Sequence, residues 1–115
     1  MIQIKRIYEL PESGDGYRIL VDRLWPRGIS KLKANLDEWD KEIAPSTALR
    51  EWFGHKPELF EEFAKRYKAE LNTKADDLKR ITSIAQKQNL TLLYAAKDPY
   101  INQAAVLLSV LNKLK

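Results

Sequence analysis

The sequence predicts an α/β fold: a small, mainly parallel sheet of three or four strands with helices packed on it. Short β-rich runs alternate with amphipathic helical stretches, the order that builds such a sheet. Two of those runs, residues 17–25 and 90–96, have the apolar centres Ile19-Leu20-Val21 and Leu92-Leu93, which mark strands covered on both faces. The chain has 115 residues, 44% of them hydrophobic and none of them cysteine. That is the size of one domain, residues 1–115, with core enough to need no disulfide.

The elements follow in order. Ile2, Ile4 and Ile7 lie in a β-rich run that ends before Pro11 and reads as the first strand. Glu12-Ser13-Gly14-Asp15-Gly16 is a turn cluster, too short for the usual parallel crossover, so the first two strands are expected to pair antiparallel. Pro26-Arg27-Gly28 stops the second strand after Trp25. In residues 36–44, the spacing of Leu36, Trp39 and Ile43 favours a short helix, with a strand through Trp39 as the alternative. Ser46 is a good N-cap, Leu49, Trp52 and Phe53 give the next helix its apolar face, and Gly54 stands just past its end. Pro57 opens a helix whose Leu59, Phe60, Phe63, Tyr67 and Leu71 are core positions rather than a stacking platform. Another helix carries Ala75, Leu78, Ile81 and Ala85. After the strand in residues 90–96, Asp98 reads as the N-cap and Pro99 as the first residue of a largely buried final helix.

Composition excludes several chemistries. Without cysteine there is no thiol nucleophile, disulfide or thiolate metal site. His55 is the single histidine and cannot build a histidine metal site alone. Asp37, Glu38, Asp40 and Glu42 read as a solvated face, so neither metal nor cofactor is expected. The four glycines are scattered and no serine sits in a G-x-S-x-G elbow, which argues against phosphate loops and hydrolase triads. No apolar stretch approaches the roughly 20 residues of a membrane span, and the charged amino terminus lacks a leader's apolar run. The expected location is cytoplasmic, with no membrane partner. Net charge is +4, from 20 basic and 16 acidic residues without a basic block. An anionic partner suits that balance; nucleic acid is possible but not favoured.

Three segments carry a family resemblance. They are Val21-Asp22-Arg23-Leu24-Trp25-Pro26-Arg27-Gly28; Ile43-Ala44-Pro45-Ser46 with Leu49-Arg50-Glu51-Trp52-Phe53-Gly54-His55; and Leu92-Leu93-Tyr94-Ala95-Ala96-Lys97-Asp98 with Asn102-Gln103-Ala104. In this order, and with the Phe63, Tyr67, Glu70, Leu71 spacing, the chain resembles the YeaO-like family of bacterial proteins. That resemblance implies no particular reaction, because the family is a domain of unknown function. Phe60 departs from it, standing where many relatives carry tryptophan, a change of packing rather than chemistry.

The candidate site comes from the topology. In open α/β sheets, ligands bind beyond the carboxyl ends of parallel strands. If the strands of residues 17–25 and 90–96 are parallel neighbours, their ends open onto one cleft. Arg23 and Arg27 then offer planar donors for a carboxylate or phosphate, Trp25 a flat face, Gly28 a close backbone approach and Lys97 a point charge. Asp98 is the candidate acid–base residue. Ser46 and Arg50, one helical turn apart, and Asn102 complete the candidate binding set. The structural alternatives are an Asp22–Arg23 ion pair, a core Trp25, a plain turn at Pro26-Arg27-Gly28, an ordinary Ser46 cap and a surface His55. Strand alternation puts Arg23 and Trp25 on one face and Asp22 and Leu24 on the other, with Arg27 beyond the strand and in solvent. The function this composition suggests is binding, or acting on, an anionic small molecule bearing phosphate or carboxylate. The alternative is a protein-interaction or nucleic-acid-binding regulatory module without catalysis.

Overall fold

The computed structural model describes residues 1–114. Four strands, β1 (Ile2–Arg6), β2 (Tyr17–Leu20), β3 (Glu38–Trp39) and β4 (Leu90–Tyr94), form one sheet in the order β1-β4-β2-β3. Every neighbouring pair is parallel. Helices α1 (Lys31–Ala34), α2 (Thr47–Phe53), α3 (Phe60–Leu71), α4 (Ala75–Lys87) and α5 (Gln103–Leu114) complete the fold, with 3₁₀ turns at Ser13–Asp15 and Pro57–Leu59. Among the described residues, no helix is long and apolar enough to cross a membrane.

The expected antiparallel pairing of the first two strands is corrected: β4 lies between them, with Ile4 opposite Leu92 on one side and Ile19 opposite Leu92 on the other. The connection is short because it crosses over β4 as a 3₁₀ turn rather than a helix. Gly16 makes this possible. Its φ is +65°, and a Cβ there would come within 2.1 Å of the Asn89 carbonyl oxygen, so the close approach of these two segments admits glycine alone.

Strand alternation assigns the sheet two unlike faces. Ile2, Ile19, Val21, Leu90, Leu92 and Tyr94 join the main core with Leu49, Phe53, Phe63, Tyr67, Leu71, Leu78, Ile81 and Leu107 of α2 to α5. The opposite face carries a smaller cluster, Ile7, Leu20, Ala34 and Leu93, with Trp25, Ile29, Leu36 and Trp39 packed against it. Loops and α1 cover that face. This explains why residues 36–44 form the two-residue strand β3 and a turn after it, and not the favoured helix. Leu36 and Trp39 belong to the small cluster and Ile43 to the main core, so the three never share one helical stripe. β3 is held to β2 by its ladder and by Asp37 N–H to Arg18 O (2.9 Å) and Asp40 N–H to Leu20 O (3.0 Å).

Two boundaries also move. The strand expected to reach Trp25 ends at Leu20. After Val21 N–H donates to Leu93 O (3.0 Å), the next donor of the β4 side, Ala95 N–H, goes to the Asp22 carboxylate (2.8 Å). A side chain thus replaces the ladder and the backbone turns away. At the last helix, Asp98 is not the N-cap. Its Oδ1 accepts Tyr100 N–H (2.8 Å) and Ile101 N–H (3.0 Å), closing a turn before the helix. Asn102 Oδ1 then accepts Ala105 N–H (2.8 Å), the cap-type bond for α5.

Candidate functional site

The carboxyl ends of β1, β2 and β4 open onto one cleft of about 660 Å³. Arg6 and Tyr8 come from the end of β1, residues 22–27 from the end of β2, and residues 95–98 from the end of β4. Arg50, Phe53, His55 and Gln103 close it from the helical side. The size suits a small organic molecule. Its place is the one that parallel topology reserves for ligands, where the loops after two adjacent strands diverge.

Of the residues singled out in the sequence, Arg23, Trp25, Arg27, Arg50, Lys97 and Asp98 line this cleft. Arg23 is half-buried, and its guanidinium donates to Pro45 O (2.9 Å) and Ala44 O (3.1 Å). It pins the segment before α2 and forms no ion pair with Asp22. Trp25 donates its indole N–H to Ile29 O (2.7 Å) and packs edge-on against Trp39, 5.2 Å between ring centroids. The tryptophan is therefore both a wall of the cleft and part of the small cluster. Arg27 is exposed, and its carbonyl accepts the Tyr8 hydroxyl (2.8 Å), which ties the β2 loop to the end of β1. The side chains of Arg27, Arg50 and Lys97 have no hydrogen-bond partner among the described residues.

Three other candidates lie elsewhere. Gly28 is not among the residues that line the cleft; with φ +77° it shapes the loop that follows Arg27. Asn102 is buried and holds Asp98 O (2.9 Å) as well as the first turn of α5. Ser46 caps α2, accepting from Leu49 N–H (3.1 Å), while its hydroxyl and amide donate to Glu70 (2.6 and 2.8 Å). The Glu70 carboxylate thus fills the position an outside anion would need.

Five cations, Arg6, Arg23, Arg27, Arg50 and Lys97, face this space with two carboxylates, Asp22 and Asp98. None of the five makes a salt bridge among the described residues; the bridges there use Lys5, Arg18, Arg66 and Arg80. Arg6 instead donates to Ala96 O (3.0 Å) and lies over the Tyr8 ring. The site therefore carries unneutralised positive charge in a concave, partly apolar setting, where field lines focus and anions gain most.

Asp22 is the residue that sequence reasoning placed on the wrong side. Strand alternation sent it away from Arg23, but the strand has ended and the chain turns, so both line the cleft. Its carboxylate accepts Ala95 N–H (2.8 Å) and Gln103 Nε2–H (2.7 Å). Burial pushes its pKa above the ordinary carboxylate value; those two hydrogen bonds and the charges of His55 and Arg50 oppose the shift. An aspartate ending an apolar strand run was the available signal. His55, read as a surface residue, is exposed, and it also lines the cleft, following Gly54 into the left-handed region (φ +53° and +58°). A non-glycine residue there costs about 1–2 kcal/mol, and strain of this kind gathers at functional sites.

A second, shallow depression beside the α3–α4 turn holds Asp40, Glu42, Asp76 and Asp77. Arg80 binds Asp40 and Asp77 there (3.2 and 2.8 Å) together with Glu38. Among the described residues, no group of three His, Cys, Asp or Glu side chains is placed to hold a metal ion.

Residues 1–114 match the model of the family described as the inactive DUF488-N3 subclade. The chain is 53% identical over 113 residues to the uncharacterized protein YeaO of Escherichia coli (strain K12), covering 98% of each chain. It is 40% identical over 111 residues to the uncharacterized proteins Mb3100c of Mycobacterium bovis and Rv3073c of Mycobacterium tuberculosis, covering 96% of this chain and 93% of theirs. No solved structure matches.

Proposed function

This chain belongs to the inactive DUF488-N3 subclade, and we propose that it binds an anionic small molecule, bearing phosphate or carboxylate, at the carboxyl ends of β1, β2 and β4. The observation that carries this reading is the set of five cleft cations that make no salt bridge among the described residues. Elsewhere in the same molecule, Lys5, Arg18 and Arg80 all have one. Arg27, Arg50 and Lys97 are free to turn onto the ligand, and Arg27 and Arg50 supply two parallel N–H donors each to a carboxylate or phosphate. Arg23 and Arg6 hold the walls in place through backbone carbonyls. Trp25 supplies an apolar side wall.

Binding without turnover fits best. The family description is that of an inactive subclade, and Asp98, the candidate acid–base group, spends Oδ1 on the turn before α5. The intrinsic fluorescence of Trp25 offers a direct assay. Titration with inorganic phosphate, simple carboxylates and mononucleotides is expected to give saturable quenching that Arg27→Ala and Arg50→Ala weaken. Absence of saturation with every one of these anions overturns the reading. A parallel titration with duplex DNA in increasing salt separates nucleic-acid binding, whose affinity falls steeply on a log–log salt plot.

A further inference from the structure

The floor of the cleft is chemically opposite to its rim. Arg27, Arg50 and Lys97 at the rim are donors only. On the floor, Gln103 donates through Nε2 to Val21 O (3.2 Å) and to Asp22 Oδ1 (2.7 Å). Both of those partners are acceptors, so the amide orientation is fixed by chemistry, and both of its hydrogens are in use. The Gln103 carbonyl oxygen is then left with no protein donor among the described residues. No buried side-chain polar atom there lacks a partner, so this oxygen reaches open space, and Gln103 is a cleft-lining residue. Beside it, Asp22 accepts one hydrogen bond at each oxygen, and a carboxylate oxygen has room for two. The floor at Asp22 and Gln103 therefore presents two adjacent acceptors, one of them anionic, while both donor hydrogens of Gln103 are in use.

A ligand that is only an anion would leave those acceptors unanswered and would bring like charge towards Asp22. We infer that the ligand is bipolar: its anionic group lies among Arg27, Arg50 and Lys97, and an amino group points down to Asp22 and the Gln103 carbonyl oxygen. An amino group fits better than a hydroxyl because it carries hydrogens enough for both acceptors. The inference rests on the cleft being an anion site, and adds that its ligand class is amino-bearing phosphates or carboxylates.

Two probes of equal length separate the inference from its premise. Propyl phosphate carries the anion and an apolar tail; 2-aminoethyl phosphate replaces the terminal methyl with an amine. Both are titrated into the intact protein and followed by calorimetry. The amino compound is expected to bind at least about tenfold more tightly, the factor one charge-assisted hydrogen bond supplies. Asp22→Asn is expected to bring it down to the affinity of propyl phosphate, and Gln103→Leu to reduce the preference without abolishing it. If neither probe binds the wild-type protein, the amino-group inference is overturned, and the anion reading then stands or falls on the titration with phosphate, carboxylates and mononucleotides. If both bind equally, the cleft is an anion site and the amino-group inference is overturned. Full preference retained in Asp22→Asn overturns it as well. Because the wild-type comparison needs no variant to fold, the test stands even if one of them is unstable.

Discussion

The covered face of the sheet and its carboxyl end are both rich in charge, and they treat it in opposite ways. On the covered face, Lys5, Asp15 and Arg18 are 8%, 2% and 3% exposed. Asp15 receives Lys5 Nζ (3.2 Å), Arg18 Nη1 and the Glu12 amide (3.1 Å), while Arg18 also donates to Ala34 O (2.8 Å) and Asn35 O (3.0 Å). Burial alone would raise the Asp15 pKa and lower that of Lys5; the hydrogen bonds among Glu12, Asp15, Lys5 and Arg18 reverse both. At the carboxyl end, Arg27, Arg50 and Lys97 stand without a carboxylate. The difference shows that residue type does not assign a role. A buried arginine whose three nitrogens all find partners inside the protein is structure, whereas an exposed one beside a cleft has donors to offer a ligand.

The largest effect expected from this contrast is at Asp15. Asp15→Ala leaves two buried cations without their shared anion, and breaking such a pair costs about 3–5 kcal/mol. Urea denaturation measures it, and a loss below about 1 kcal/mol would place the triad with surface ion pairs. Arg23 and Arg27 come next. Arg27→Ala is expected to lower anion affinity about tenfold while moving stability by no more than about 0.5 kcal/mol. Arg23→Ala is expected to lower both, with a stability loss of about 1–3 kcal/mol because two backbone carbonyls lose their donor. That loss is smaller than for a broken buried ion pair, since the partners are Ala44 and Pro45 oxygens rather than a carboxylate. Equal stability losses at Arg23 and Arg27 would erase the distinction between scaffold and ligand arginines.

Smaller effects sharpen the contrast. Ser46→Ala is expected to destabilise by about 1 kcal/mol through the lost cap and to leave the anion titration unchanged, because Ser46 lies outside the cleft. A change in affinity would return Ser46 to the binding set. Near the α3–α4 turn, the Asp40 carboxyl is pushed up to about 7 by its burial and by the neighbouring Asp77 carboxylate. Its folded-state pKa lies above the unfolded one, so this contribution to stability is fully present below the unfolded pKa and lost as pH rises through about 7. The melting temperature is expected to fall modestly from pH 6 to pH 8, and Asp40→Asn is expected to flatten that slope. An unchanged slope in the variant would remove Asp40 as its cause.

The sequence by itself determined the α/β class, the buried strands around Ile19 and Leu92, the helices of Phe63, Tyr67 and Ile81, and the Ser46 cap. These rest on local periodicity and local hydrogen bonding, which neighbouring residues carry without help. It also pointed to Arg23, Trp25, Arg27, Arg50, Lys97 and Asp98, residues the fold brings around one cleft. The tertiary structure decided the rest. It placed β4 between β1 and β2, a pairing across most of the chain that no local pattern encodes. By dividing Leu36 and Trp39 from Ile43 between two cores, it gave residues 36–44 a short strand at Glu38–Trp39 followed by a turn, and not a helix. It ended β2 early, because the Asp22 side chain takes the ladder bond of Ala95, and so turned Asp22 into the cleft, where strand alternation could not put it. Which charges are paired was likewise decided there: Asp15 reaches Lys5 only once the chain crosses over β4, and the cleft cations make no salt bridge among the described residues although Asp22 and Asp98 share the cleft, because the fold commits the Asp22 carboxylate to Ala95 and Gln103 and Asp98 Oδ1 to the turn before α5.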